Sequence, residues 1–307
     1  MNKTILQQYL DILEYNERPE ILDKYLKVPS LLRLKNVGYF CGMDYASKHI
    51  YCFDEYISRY DHSVTVALLT WHYTKDIKQT LAGLFHDIAT PCFSHVIDYM
   101  NKDYENQEST EEYTEKILRE DTYLNQCLKQ DNILLEDITN FKKYTIVDND
   151  RPKLCADRLD GVILTALFWT KTIDINDVEK IINDTKIFIN EERNKEIGFN
   201  STTIANLVLE SSKTIDIFCH SNEDNYMMEL LASITREAIE NKHITYNDLY
   251  ILNEKELIDI LKNCNNKEIT KKLTKFMSIE KEDIPEVNLS NIKIRALNPL
   301  VNGERLI

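Results

Sequence analysis

Apolar residues recur at helical spacing through most of the chain. Ile5, Leu6, Tyr9, Leu10 and Leu13 predict a helix over residues 4–15, and the run from Ile21 to Leu26, following Pro19, predicts a second short one. Residues 37–60 combine Gly38 and Gly42 with scattered aromatics and have no clean period, so they read as irregular, packed structure. Val64, Leu68 and Trp71 then mark one face of a helix over 62–73, and Ile77, Leu81, Leu84 and Phe85 mark another over 76–86. The polar residues Thr74 and Lys75 join them.

Further on, a polar, acidic stretch from Asn101 to Glu115 leads into another helix. The string from Asp148 to Pro152 reads as a helix start with proline in the first turn, predicting a helix over 152–169. Residues 175–189 and 204–219 are amphipathic helix candidates, and the charged segment 191–200 between them reads as an exposed connection. Residues 225–240 predict a helix, 245–252 a capped turn, and 254–262 a short helix. In the tail, Ile284, Val287, Ile292 and Ile294 alternate with polar residues and suggest one or two strands. Neither an internal repeat nor a low-complexity linker is visible.

Composition narrows the picture. Six Gly and six Pro among 307 residues are too few for turn-dense sandwiches or collagen-like repeats, which favours an all-α fold. A net charge of −14 repels polyphosphate backbones, so an extended nucleic-acid surface is not expected, although a small basic pocket for one anion is compatible. The longest strongly apolar stretch, Gly161 to Trp169, is about half of the roughly 20 residues a spanning helix needs, and the opening residues carry no secretion-type apolar core. A cytoplasmic protein without membrane partners is the expectation. The seven cysteines include no CxxC pair and read as reduced, mostly buried thiols. Trp71 and Trp169 read as core anchors.

Candidate chemistry gathers around His86 and Asp87, at the end of an apolar helix in LAGLFHDIATPCFSH. His62 lies at the start of the preceding helix, and two antiparallel helices joined by a short turn return His86 to its level. Asp157, in PKLCADRLDGVILTALFW, places a carboxylate in the first half of another helix and can complete a set of two histidines and two aspartates. Mixed nitrogen and oxygen donors suit Fe, Mn, Zn, Co or Ni better than Ca; Mg is also compatible, and Asp87 has two oxygens with which to bridge one or two ions. Arg59, Arg151, Lys153 and Arg158 crowd these positions and suit phosphate oxygens, or equally act as salt-bridge partners of the carboxylates. No GxGxxG, P-loop or GxSxG string is present.

The strings RYDHS at 59–63, HDIATPCFSH at 86–95, QEST at 107–110 and ADRLD at 156–160 resemble the HD-domain metal-dependent phosphohydrolase superfamily, nearest to its deoxynucleoside triphosphate triphosphohydrolase-like branch. The resemblance covers roughly residues 20–260. It implies a helical HD core with metal ligands at His62, His86, Asp87 and Asp157. It also implies phosphate contacts at Arg59 and Arg158, and water held by the metal against phosphorus. On this reading residues 1–220 form the HD core with its helical lead-in, and 221–307 a helical extension and strand-like tail packed on it.

Two imidazoles of that branch are replaced here, by Thr90 and Asn106, so a proton for the leaving group must come from elsewhere. Asp87, Glu108 and Glu111 are the catalytic candidates. Arg59, Arg158, Lys153 and His95 are the substrate-binding candidates, with His95 able to buttress the site through a hydrogen bond. The expected function is hydrolysis of a nucleotide, a deoxynucleoside triphosphate first, or of another small phosphate ester. The alternative is a nucleotide-binding regulator with weak or no turnover. A homo-oligomer is compatible with either, since the tail can pair between chains or fold back on its own core.

Overall fold

The computed structural model describes residues 3–14, 18–105, 113–289 and 292–307. In chain order its helices are α1 (Ile5–Glu14), α2 (Leu22–Tyr25), α3 (Pro29–Arg33), α4 (Arg59–Thr74), α5 (Ile77–Phe85), α6 (Val96–Asn101), α7 (Thr114–Glu120), α8 (Thr122–Gln130) and α9 (Glu136–Thr139). There follow α10 (Ala156–Thr165), which runs into a π turn at Ala166–Thr170, and α11 (Ile175–Asp184). The strands β1 (Thr185–Ile189) and β2 (Lys195–Phe199) come next, and then α12 (Thr202–Cys219), α13 (Asn222–Glu240), α14 (Asp248–Ile251), α15 (Glu254–Asn263) and α16 (Lys267–Ser278). Two short strands, β3 (Leu300–Val301) and β4 (Glu304–Arg305), close the described chain. The fold is thus helical with one small sheet. No helix among the described residues is long and apolar enough to cross a membrane.

The hairpin of α4 and α5 is written into its caps. Ser58 accepts the Asp61 N–H while Asp61 accepts the Ser58 N–H, a reciprocal box that starts α4 one turn before His62. Lys75 takes the left-handed conformation that ends α4, and the Asp76 carboxylate then caps α5 by accepting from Lys78 and Gln79. Gly83 lets the pair close tightly: a Cβ there would sit 3.0 Å from Thr70 Oγ1 and 3.3 Å from a Val66 methyl. On the other side of α4 lie α1 and α10, and one continuous apolar core runs from Tyr9 to Leu297. The C-terminal helices join this core through α13, which packs on both α6 and α16.

Three expectations are corrected. Residues 175–189 do not form one helix: α11 ends at Asp184, whose carboxylate accepts the N–H groups of Asn200 and Ser201, and the β-branched run TKIFI continues as β1. Segment 191–200 is not simply an exposed connection, because it contains β2, antiparallel to β1, with Ile197 and Phe199 fully buried. Pro152 does not open a helix. It lies in a turn whose backbone is held by Asn149 Nδ2, donating to Thr145 O and Leu154 O, and α10 begins only at Ala156.

The tail folds back on its own chain. β3 runs parallel to β2, pairing Gly198 with Leu300, and β4 returns antiparallel to β3. The described residues of 284–294 contain no strand, and the tail's strands lie beyond them. Arg305 of β4 meets the fully buried Glu196 of β2 at 2.6 Å, and the same carboxylate accepts the Leu154 N–H just before α10. A charge that is buried needs such paired, hydrogen-bonded partners.

Gly42 has φ 75°, and a Cβ there would fall 2.6 Å from the Phe93 ring and 2.9 Å from Leu231. Gly42→Ala is therefore expected to destabilise the protein by about 1–3 kcal/mol, read as a lower urea midpoint at unchanged slope.

Candidate metal centre and substrate cavity

Helices α4, α5 and α10 bring His62, His86 and Asp157 together, with Asp87 immediately beyond α5. His62 Nε2 lies 3.0 Å from Asp157 Oδ1 and 3.8 Å from Asp87 Oδ2. His86 Nε2 lies 3.3 Å from the same Asp157 oxygen and 3.6 Å from Asp87 Oδ1. Donor atoms of His62, His86 and Asp87 all fall within 4.8 Å of one another. Both imidazoles are nearly fully buried, while Asp87 and Asp157 keep part of their surface open.

The other ring nitrogens are already committed. His62 Nδ1 faces Asp160 Oδ2 at 2.7 Å, and His86 Nδ1 lies 2.7 Å from the Gly83 carbonyl. A carboxylate and a carbonyl can only accept, so both Nδ1 atoms carry the proton. In each neutral ring Nε2 is then the bare nitrogen. Two such nitrogens beside two carboxylates are the donor set that a divalent transition ion takes, with orienting groups behind the histidines. These residues fit such an ion.

Asp160 had no role in the sequence reading. It is fully buried and accepts from Tyr9 OH at 2.6 Å and Thr65 Oγ1 at 2.8 Å as well as from His62. The signal was its position: three residues after Asp157 it shares a face of α10 with that ligand, inside an apolar stretch.

Electrostatics make this a proton store when no ion is bound. Burial alone lowers the His62 pKa, but hydrogen bonds to Asp157 and Asp160 outweigh it and raise the value to about 8. Burial likewise lowers that of His86, and the Asp87 charge with the Asp157 hydrogen bond raises it to about 10. Burial raises both aspartates, yet the two histidines hold Asp157 well below the usual carboxylate range, and His86 with Arg59 lowers Asp87.

Arg59 is buried and donates from Nη1 to Asp87 Oδ2 at 2.9 Å and from Nε to Ser94 Oγ at 3.1 Å, with its guanidinium 5.0 Å from the Tyr39 ring centre. It thus orients Asp87 and ties it to the loop that follows. That loop places Phe93 and Ser94 at positive φ, and the buried Glu254 of α15 pins it by accepting the Phe93 N–H at 2.9 Å. Burial pushes the Glu254 carboxyl up to about 8 against the pull of the Phe93 and Gly38 N–H groups.

The four ligand candidates line a cavity of about 310 Å³, together with Arg59, His95 and Arg158. His95 Nδ1 is 2.9 Å from the fully buried Asp98, which leaves Nε2 as its unengaged nitrogen. Arg158 is held by Asn149 and the Lys153 carbonyl and lies 3.8 Å from Asp148. Lys153 points elsewhere: its ammonium meets Glu192 at 2.6 Å and it lines a separate surface pocket. Trp169 packs against the core and also lines the main cavity, and Phe40 stacks on Phe53 at 4.3 Å along the cavity. Glu108, Glu111 and Asn106 lie outside the described residues. Thr90 is buried, with its carbonyl engaged by Arg33 at 2.7 Å.

Asp148, Cys155 and Asp157 form a second close group, sharing Asp157 with the first. Arg158 already supplies positive charge there, and burial pushes the Cys155 thiol up to about 12.

The chain has similarities to known proteins. Residues 59–147 match the model of the HD domain, a stretch that contains His62, His86 and Asp87 and stops short of Asp157. The chain is similar to the uncharacterized protein YdhJ of Bacillus subtilis, 24% identical over 290 residues, covering 92% of this chain and 84% of the relative. It is also similar to the metal-dependent phosphohydrolase cns2 of Cordyceps militaris, 24% identical over 258 residues, covering 81% of this chain and 73% of that protein. Residues 59–147 are thus similar to an HD domain, and that match and the phosphohydrolase relative together support the HD superfamily.

Proposed function

We propose that the protein is a metal-dependent hydrolase of small phosphate esters, with nucleotides as the substrate class and deoxynucleoside triphosphates as the first to assay. The observation that carries this reading is the meeting of two histidine Nε2 atoms and two carboxylates in a cavity lined by arginines. When bound, a divalent ion supplies Lewis acidity and lowers the pKa of a water molecule to near neutral.

The chain's own residues do the rest. Asp160 and the Gly83 carbonyl fix the tautomer and orientation of the two histidines. Arg59 holds Asp87 in place, and Arg158, its guanidinium preset by Asn149, faces phosphate oxygens. Aromatic side chains along the cavity, Tyr39, Phe40 and Trp169 among them, offer faces for a nucleobase. His95 is the proton donor to the leaving oxygen: Asp98 orients its ring through Nδ1, and Nε2 is the nitrogen left to face the leaving group. It fills a role for which the buried Thr90, which has no imidazole, is unsuited.

The decisive experiment is a screen of nucleotides and generic phosphate esters with added metal, run beside Asp87→Ala. Phosphate release should fall about 100-fold or more in the variant, with loss of metal from the purified protein. Asp160→Asn, which leaves all four ligands in place, is expected to weaken metal affinity about 10–100-fold, as measured by competition with a chromogenic chelator. Wild-type protein that binds nucleotide saturably and releases no phosphate sinks the hydrolase and leaves a regulator.

His95→Gln should slow esters with poor leaving groups by about 10²–10⁴-fold and spare p-nitrophenyl phosphate, whose leaving group needs no proton. Equal losses on both substrates argue against His95 as the acid.

Metal uptake must displace the imidazole protons. Because the folded values of His62 and His86 lie above the ordinary 6.5, their contribution to metal-free stability is complete below about pH 6.5 and is lost as pH rises through about 8 and then about 10. The gap in melting temperature between metal-loaded and chelated protein should therefore widen between pH 6.5 and 9. Glu254 titrates in an overlapping range but is common to both forms and cancels in the difference.

A further inference from the structure

Residues 292–299 of the tail are threaded along the wall of the cavity. The Lys293 N–H donates to the Tyr104 carbonyl at 2.9 Å, the Arg295 N–H to Asp216 Oδ1 at 2.8 Å, and the Asn298 N–H to the Pro152 carbonyl at 2.8 Å. Those acceptors belong to three separate parts of the fold: the segment after α6, helix α12, and the turn before α10. The path is fixed, and it places the side chains of Lys293 and Arg295 in the same cavity as the metal-ligand candidates.

Two of the cations that line the cavity, Arg295 and Arg151, make few contacts among the described residues. Arg295 is half-buried, and its guanidinium makes one hydrogen bond, from Nη1 to the Lys293 carbonyl at 3.3 Å. Arg151 reaches only the Ala296 carbonyl, at 3.5 Å. Among the described residues neither guanidinium has a carboxylate within 4 Å. Arg151 is exposed, and the neighbouring charges of Arg158 and Arg295 act against its own, so these guanidiniums repel one another.

The carboxylates facing the group are spoken for. Asp148 lies against Arg158, Asp216 holds the Arg295 backbone, and Asp224 accepts from Tyr51 OH at 2.6 Å, its pKa raised by burial to about 6. A chain of net charge −14 has no shortage of acids with which to neutralise Arg151 and Arg295. Their guanidinium forks are thus available to a compact anion that enters the cavity.

We propose that the tail is part of the substrate site, and that Arg295, with Arg151 and Lys293, forms an anion subsite for a second phosphate group of the substrate. The phosphoryl group to be cleaved lies at the ligand cluster with Arg59 and Arg158, and the cationic row continues outward through Arg151 to the tail. The assignment rests on the phosphohydrolase reading for its role, but the subsite itself is testable without turnover.

Inorganic pyrophosphate and inorganic phosphate are titrated calorimetrically into the full chain in the presence of a chelator. Wild-type protein should bind pyrophosphate, and Arg295→Gln and Arg151→Gln should each weaken that binding about tenfold or more. Arg119→Gln on α7, which removes an exposed cation paired with Glu115, should leave it unchanged. Arg295→Lys, which keeps the charge and loses the fork, should fall between wild type and Arg295→Gln. If far-UV circular dichroism shows Arg295→Gln to be misfolded, Lys293→Gln and Arg295→Lys carry the comparison. Failure of the wild type to bind pyrophosphate, or equal affinity in Arg295→Gln and wild type, overturns the subsite. Neither result bears on metal content or phosphate release, which decide the hydrolase separately.

Discussion

The site depends on where two protons are kept. Each histidine spends its Nδ1–H on a group that can only accept, Asp160 for His62 and the Gly83 carbonyl for His86, and the opposite nitrogen of each is left to face the same point. Without Asp160 the His62 ring has no reason to present Nε2 rather than Nδ1. Without the short α4–α5 turn the two rings do not meet. The rest of the assembly serves these placements: Tyr9 and Thr65 satisfy the buried Asp160, and Arg59 satisfies Asp87 while tying it to Ser94. A buried acid cluster of this kind is tolerable because every carboxylate has a donor aimed at it.

Much of the α4–α5 hairpin and the ligand quartet was legible because it is locally encoded. Helical periodicity and the spacing of His62 and His86 act over a few turns of chain, and the place of Asp157 early in its own helix, with the resemblance of four short strings, added the fourth candidate. What escaped is held by long-range pairing. β2 looked like solvated charge because its burial comes from Arg305 and Leu300, about a hundred residues away. Pro152 looked like a helix start because nothing nearby reveals that Asn149 and Glu196 hold the following residues in a turn. Asp160 looked like one more helix aspartate, and Trp169 like a purely core residue, until α4 and α12 packed around them.

The electrostatic character of the protein differs between its surface and this interior. The outside carries the excess of acids that gives −14, while the cavity collects Arg59, Arg151, Arg158, Lys293 and Arg295 from distant stretches of sequence. Net charge argues against binding long polyanions, and the cavity selects for compact ones, whose hydration can be replaced by arginine forks in a confined space.

Three of the four ligand candidates belong to one helical hairpin, whereas Asp157 arrives on α10, seventy residues after Asp87. A cation shared between them closes that long loop and favours only conformations in which hairpin and α10 are docked. Partial opening that lifts α10 away must first release the ion. With an ion bound there, resistance to proteases and the rate of amide exchange in this region would become functions of free metal concentration, and the supply of ion would govern how long the fold persists.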